Sequence, residues 1–256
     1  MNDPNEATTS PQILARPDGA TIAYHHFKGK SPAVVFLGGF MSDMTGSKAM
    51  ALQEHCLAQN RQFLRFDYTG HGQSSGDFRD GTIGQWAADA VYAIEQLTDG
   101  PLVLVGSSMG GWIMLLAALQ LKERVTGLLG IAAAPDFTED LIDKELTQKQ
   151  RQIMKRDGFV EVPSDYDDGP YTITQALIDD GADNLLLEKA IPLTMPVRLI
   201  QGMQDNDVPW ETALRLQEAL ESQDVEITFV KQGDHRLSEP HDLARLTNML
   251  DPLLEL

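Results

Sequence analysis

The sequence predicts an α/β architecture: a mainly parallel, twisted sheet flanked by helices, opened by an antiparallel hairpin and interrupted by one small helical cap. Three observations lead there. Short apolar runs rich in β-branched residues alternate with segments of helical period, and strands joined through helices run parallel. The chain has 256 residues, 42% of them hydrophobic and 23% charged, enough to bury a core without a disulfide or structural metal. The alternation breaks once, between about Pro135 and Ile191.

The elements follow in order. Ile13–Ala15 and Thr21–Tyr24 flank Asp18-Gly19, which reads as a hairpin turn. Ala33–Leu37 is a buried strand by length and branching, and it ends at Gly38-Gly39. Gly46–Asn60 has helical spacing through Ala49, Met50, Leu52 and Leu57, and Phe63–Phe66 is the next strand. Trp86, Ala90, Ala93 and Leu97 mark a helix over Gln85–Leu97, followed by a strand at Leu102–Val105. Met109–Leu121 is apolar almost all round, so it belongs in the interior. Leu128–Ile131, Val197–Ile200 and Val225–Val230 supply further strands, with helices over Glu211–Leu220 and Leu243–Leu254. The interrupting segment shows helical pieces at Leu141–Lys155 and Thr174–Asp180, a run of acids from Asp165 to Asp168, and no buried strand. The expected division is a core of residues 1–134 and 191–256, with a helical cap or lid at 135–190.

The formal charge of −18 argues against nucleic-acid and membrane-surface partners, because such a surface repels phosphate. No stretch approaches the ~20 apolar residues needed to insert into a bilayer. The lone Cys56 excludes an intrachain disulfide and reads as a small core residue on a helix. Met1–Pro11 is polar and carries no Lys or Arg, unlike a secretory or organellar leader. The expectation is a soluble, cytoplasmic protein.

Gly106-Ser107-Ser108-Met109-Gly110 fits G-x-S-x-G between a strand and a helix. Glycines permit a sharp turn there, and the helix N-terminus presents free N–H groups to developing negative charge. Ser108 is the candidate nucleophile, with Ser107 one position off the centre. A serine needs a base oriented by an acid. The acid candidates after the Val197–Ile200 strand are Asp205, favoured, and Asp207; Asp136 is a distant third. His235, in Gly233-Asp234-His235 after the last strand, is the base candidate. His25 and His26 point to opposite faces of a strand and cannot chelate together. His55 reads as exposed, His71 as a loop residue, and His241 as a helix start. An oxyanion hole needs two preorganised amides. The candidates are Met109 and Phe40, with Met41 as the alternative to Phe40. Met41, Met203 and Trp210 are candidate substrate-pocket residues. Asp67–Ser74 is Gly-rich but matches no nucleotide-binding fingerprint. No cofactor or metal is called for.

Together, Gly38-Gly39-Phe40, Asp67–Ser74, Gly106–Trp112, Gly202–Trp210 and Gly233–Arg236 resemble the α/β-hydrolase superfamily over nearly the whole chain. Within it, Phe36–Ala49 and Val105–Trp112 are similar to the abhydrolase-domain-10 group, mitochondrial acyl-protein thioesterases that also cleave acyl glucuronides. The resemblance implies a Ser108-Asp205-His235 triad, and it strengthens Asp205 because family acids occupy the D of G-x-x-D-x-x-V-P. It also implies small-molecule acyl esters or thioesters, and acylated proteins, as substrates. Many relatives carry His where this chain has Gly38 and Gln201, the latter reading only as a strand end. Without a targeting leader the chain looks like a bacterial-type member. Ser108 at the elbow, in place of Asp, argues against the dehalogenases and epoxide hydrolases of this fold. The expected activity is ester or thioester hydrolysis through an acyl-enzyme. The alternatives are a cofactor-free perhydrolase, a C–C bond hydrolase, or a non-catalytic ligand-binding member of the fold.

Overall fold

The computed structural model describes residues 10–139, 146–163 and 169–255. Its central sheet has eight strands: β1 (Gln12–Ala15), β2 (Thr21–Phe27), β3 (Lys30–Leu37), β4 (Arg61–Phe66), β5 (Leu102–Ser107), β6 (Val125–Ile131), β9 (Val197–Gly202) and β10 (Val225–Val230). Two more, β7 (Phe159–Val162) and β8 (Tyr171–Thr174), form a separate antiparallel pair. The helices are α1 (Ser47–Ala58), α2 (Ile83–Leu97), α3 (Met109–Gln120), α4 (Gln148–Asp157), α5 (Gln175–Asp183), α6 (Glu211–Ala219) and α7 (Pro240–Leu254).

The order across the main sheet is β1-β2-β4-β3-β5-β6-β9-β10. The β1–β2 and β2–β4 pairs are antiparallel and the rest parallel, as the alternation of strands and helices requires. Alternate residues of the central strands face opposite layers, because side chains along a strand have period two. Val34, Phe36, Val103 and Val105 pack with Leu52 of α1 and Leu250 of α7. Val35, Leu37, Leu102 and Leu104 pack with Trp86 of α2 and Trp112 of α3. Met50, expected on the apolar face of α1, is exposed instead.

Chain order places β4 on one side of β3 and β5 on the other. The connections leaving β3 and β5 therefore diverge, and a crevice opens outside the carboxyl ends of these strands. The candidate nucleophile and the Gly38-Gly39 loop sit at that crevice.

The segment between β6 and β9 departs from the purely helical expectation, because it contains the β7–β8 hairpin as well as α4 and α5. Strands of four residues are too short for a convincing alternation in the sequence, and each is stabilised by the other. Thr174, expected inside a helix, closes β8 and caps α5, its hydroxyl accepting from the Leu177 N–H. The α4 start is set by a capping box between Thr147 and Gln150, and its end by Gly158 in the left-handed conformation. The first part of the expected Leu141–Lys155 helix, and the Asp165–Asp168 run, lie outside the described residues. Leu146, Met154, Val160 and Ile173 form a small apolar cluster of this segment, with Phe40 of the main body against it.

Candidate active site

Ser108 adopts φ +55° and ψ −123° between β5 and α3. A non-glycine residue rarely occupies this region, and the turn is held by its surroundings. The Ser108 N–H donates to the Ile131 carbonyl at 2.9 Å, and its own carbonyl accepts from Gly111 at 2.8 Å and Ala134 at 3.0 Å. The flanking glycines are needed for close approach. A Cβ on Gly106 would lie 2.3 Å from the Gly110 carbonyl oxygen, and one on Gly110 would lie 2.1 Å from that of Leu37.

Ser108 Oγ is 3.0 Å from His235 Nε2, and His235 Nδ1 is 2.9 Å from Asp205 Oδ2. Residues from three separate loops thus form one hydrogen-bonded chain, and it runs through Ser108 and Asp205. The Asp205 carboxylate has no exposed side-chain surface. Its Oδ1 accepts from the Asp207 N–H at 2.9 Å and the Val208 N–H at 2.8 Å, so the backbone of its own turn holds it. The Asp207 backbone, not its side chain, serves this carboxylate. Asp136 is elsewhere and structural: its carboxylate accepts from the Leu186 and Leu187 amides, tying down the chain as it leaves α5. Asp205, Asp207 and His235 could also present three ligand atoms within 4.8 Å of one another. However, Asp205 Oδ2 and His235 Nδ1 already face each other in a hydrogen bond.

The His235 loop is fixed from two sides. A Cβ on Gly202 would meet the Gly233 carbonyl oxygen at 2.4 Å, so the Asp205 and His235 loops touch through a glycine. Lys48, in the first turn of α1, donates from Nζ to the Arg236 carbonyl at 2.5 Å. Burial pushes the Lys48 ammonium down to about 8; Asp234 opposes this and Arg236 adds to it.

Residues 39–42 form a turn closed by bonds from the Ser42 N–H and hydroxyl to the Gly39 carbonyl, at 3.3 and 3.0 Å. A Cβ on Gly39 would stand 3.5 Å from Ser108 Cβ, so this turn abuts the serine. Phe40 and Met41 are its central residues, and Met41 has φ +53°. Among the described residues, the Phe40 and Met109 amides donate to no backbone acceptor. Behind the turn, Met44 is clamped: its N–H donates to Asp67 Oδ1 at 2.7 Å and its carbonyl accepts from Arg65 Nη1 at 2.9 Å. Burial raises the Asp67 carboxyl, while the Gln73 and Met44 amides and Arg65 work against that rise. The Asp67–Ser74 motif therefore supports the loop beside the serine.

A cavity of about 640 Å³ opens over Ser108 and His235. Met109, Phe137, Leu146, Tyr171 and Ile173 give it apolar walls; Ser47, Lys48 and Asp207 line a polar part. Phe40 and Met41 line it too, and the Phe40 ring packs edge-on against Phe78, Phe137 and Tyr171. Met203 and Trp210, expected in the pocket, are not among its lining residues. Met203 is 41% exposed, and Trp210 packs edge-on against Phe229 of the edge strand β10. Closeness to Asp205 in sequence placed them near the site, but the turn leaves Met203 exposed and sends Trp210 to the edge strand.

Other readings sharpen. Cys56 is fully buried, and burial pushes its thiol up to about 12, as suits a core residue. His55 is not free on a surface, since its Nε2 is 2.6 Å from Asp251 Oδ1. His71, the loop residue, is 4% exposed among aromatic rings. Gln201 is more than a strand end. Its side-chain amide donates to Asp205 Oδ2 at 2.9 Å. A polar residue in the apolar period of β9 was the signal available for it. No described helix is long and apolar enough to cross a membrane.

Comparisons with known proteins give the family and the fold. The model of the alpha/beta hydrolase family matches residues 34–246. The chain is 38% identical over 248 residues to the human palmitoyl-protein thioesterase ABHD10, mitochondrial, covering 96% of this chain and 81% of that protein. A solved structure of mouse alpha/beta hydrolase domain-containing protein 10 superposes with a TM-score of 0.89 at 37% identity, covering 96% of this chain and 99% of that one. A solved Agrobacterium vitis S4 protein gives 0.90 at 39% identity, covering 94% and 96%.

Proposed function

Because the chain belongs to the alpha/beta hydrolase family, we propose that it is a serine hydrolase of acyl esters and thioesters. The observation that carries this reading is the relay Ser108–His235–Asp205, with contacts of 3.0 and 2.9 Å, at the floor of a largely apolar cavity. A carboxylate behind an imidazole, and the imidazole on a serine hydroxyl, is the arrangement that activates an otherwise weak nucleophile.

His235 Nε2 takes the proton as Ser108 Oγ attacks the acyl carbonyl. Asp205 holds Nδ1–H and stabilises the imidazolium. The Phe40 and Met109 amides receive the oxyanion, since the turn bearing Phe40 abuts Ser108, Met109 follows Ser108 at the start of α3, and among the described residues neither amide donates to a loop or turn carbonyl. The imidazolium then protonates the leaving alkoxide or thiolate, leaving Ser108 acylated. Water enters, His235 takes its proton, and the second tetrahedral intermediate collapses to free acid and Ser108. The residues present complete both half-reactions without a cofactor.

The substrates are small-molecule acyl esters and thioesters, and acylated proteins; the last is supported by the human and orangutan (Pongo abelii) relatives, which are palmitoyl-protein thioesterases. The apolar cavity walls receive the acyl chain, and residues 135–190 act as a cap that shapes its space. Residence in the cytoplasm belongs to the same reading, supported by a single buried, unpaired cysteine. The test is a fluorophosphonate label with peptide mapping, alongside aryl esters and acyl thioesters of graded chain length. One adduct at Ser108, lost together with turnover in Ser108→Ala, is the expected result. Labelling at Ser107, or none in folded protein, refutes the reading.

A further inference from the structure

We propose that Gln201 is a positioning residue that sets the pH at which the Ser108–His235–Asp205 relay becomes active. The proposal rests on the serine-hydrolase reading above. Gln201 is 1% exposed and lies on β9 in the same period as Val197 and Leu199, which pack in the apolar core. An amide buried there needs hydrogen-bond partners. Its Nε2 faces three oxygens: Asp205 Oδ2 at 2.9 Å, the Val208 carbonyl at 3.2 Å and the Gly202 carbonyl at 3.3 Å. All three can only accept, so the amide must present its N–H groups to them.

The oxygen that matters is Asp205 Oδ2, because it also faces His235 Nδ1 at 2.9 Å. A donor on that oxygen draws negative charge away from the imidazole. The imidazolium that forms as Ser108 is deprotonated is then less stabilised, so Gln201 tunes the charge that Asp205 presents to His235. Removing the amide does not free the carboxylate, since the Asp207 and Val208 amides still hold Oδ1. Among the described residues, the other charged groups around the relay are Asp207 on the Asp205 turn, Asp234 and Arg236 on the His235 loop, Lys48 from α1, and Asp43 on the cavity wall. The Gln201 amide bonds Asp205, Val208 and Gly202 rather than any of these charged groups. The effect of the substitution is therefore electronic, not a swing of Asp205 out of reach.

The experiment compares kcat/KM for a neutral aryl ester between pH 5 and 9 in the native protein and Gln201→Met. Rates are normalised to the fraction labelled by a fluorophosphonate, so unfolded protein does not count. Gln201→Met, of similar length but without a donor, is expected to raise the midpoint of the acid limb by about half to one pH unit. Well below the native midpoint its rate falls by a further three- to tenfold relative to the plateau, as that shift requires. Should the Met variant not fold, Gln201→Leu takes its place. A purely structural role would lower the labelled fraction and leave the midpoint where it was. In a protein that labels at Ser108, an unmoved or lowered midpoint overturns the proposal alone. A native protein that takes no label overturns the serine-hydrolase reading itself.

Discussion

Lowering the pH from 7 to 5 should weaken this fold through one residue that takes no part in the chemistry. His71 lies in the turn after β4, its ring 5.0 Å from those of Phe78 and Trp86 and 5.5 Å from that of Tyr68. Its Nδ1 is 3.4 Å from the Thr69 carbonyl, and its buried Nε2 finds no partner among the described residues. Burial pushes its pKa down from 6.5 to about 4, with the Thr69 carbonyl opposing. The folded value lies below the unfolded one, so the unfolded chain takes up the proton first as pH falls. The stability due to neutral His71 is complete above pH 6.5 and is lost as pH falls toward about 4. The interval between those values corresponds to about 3 kcal/mol, of which about 2 kcal/mol has gone by pH 5. Urea unfolding of the native protein and of His71→Phe, at pH 7, 6 and 5, measures this. Phenylalanine keeps a ring among the three aromatics and removes the titration. His25 and His26 are also lowered by burial and remain in both proteins, so the difference between the two slopes isolates His71. Equal loss of stability in both proteins would refute the reasoning.

Asp205→Asn should lower kcat by ~10⁴, while Asp207→Asn, which keeps the backbone N–H that serves Asp205, should change it less than ~10-fold; steady-state kinetics that reverse the order would make Asp207 the acid. Gly110→Ala places a methyl group against backbone, 2.1 Å from the Leu37 carbonyl oxygen, and the α3–β3 packing cannot yield cheaply. A loss of about 3 kcal/mol is expected in thermal or urea unfolding, and an unchanged Tm contradicts the close approach. Ile173→Trp fills part of the apolar wall of the cavity. It should reduce kcat/KM for a long acyl thioester at least ~10-fold more than for an acetyl ester; equal changes would place the acyl chain elsewhere.

Much of the architecture is legible along the chain because it rests on local patterning. The runs at Ala33–Leu37 and Leu102–Val105 have the length and branching of buried strands, and both are central strands of the sheet. Met109–Leu121 is apolar on all sides and becomes the buried helix α3. Ser108 is legible for a similar reason, since two glycines, a preceding strand and a following helix are all within a few residues of it. The β7–β8 hairpin is not legible. Its strands are short, and each depends on a partner that hydrophobic period does not identify.

Residue order alone settled the α/β class, the strand–turn–helix around Ser108, and the loops in which Asp205 and His235 reside. It did so because periodicity, turn chemistry and chain order are one-dimensional properties. Only the tertiary structure decided what depends on distances between segments far apart in the chain. Gln201, seen in sequence as a strand end, shares an oxygen of Asp205 with His235. Lys48 crosses from α1 to the His235 loop. His71 leaves a glycine-rich turn for an aromatic interior. Met203 and Trp210, two and five residues from Asp205, leave the cavity, Met203 toward solvent and Trp210 against Phe229, because a turn sends neighbouring side chains in different directions. Each of these placements follows from how layers pack across the sheet, and packing is a relation between segments that no single segment carries.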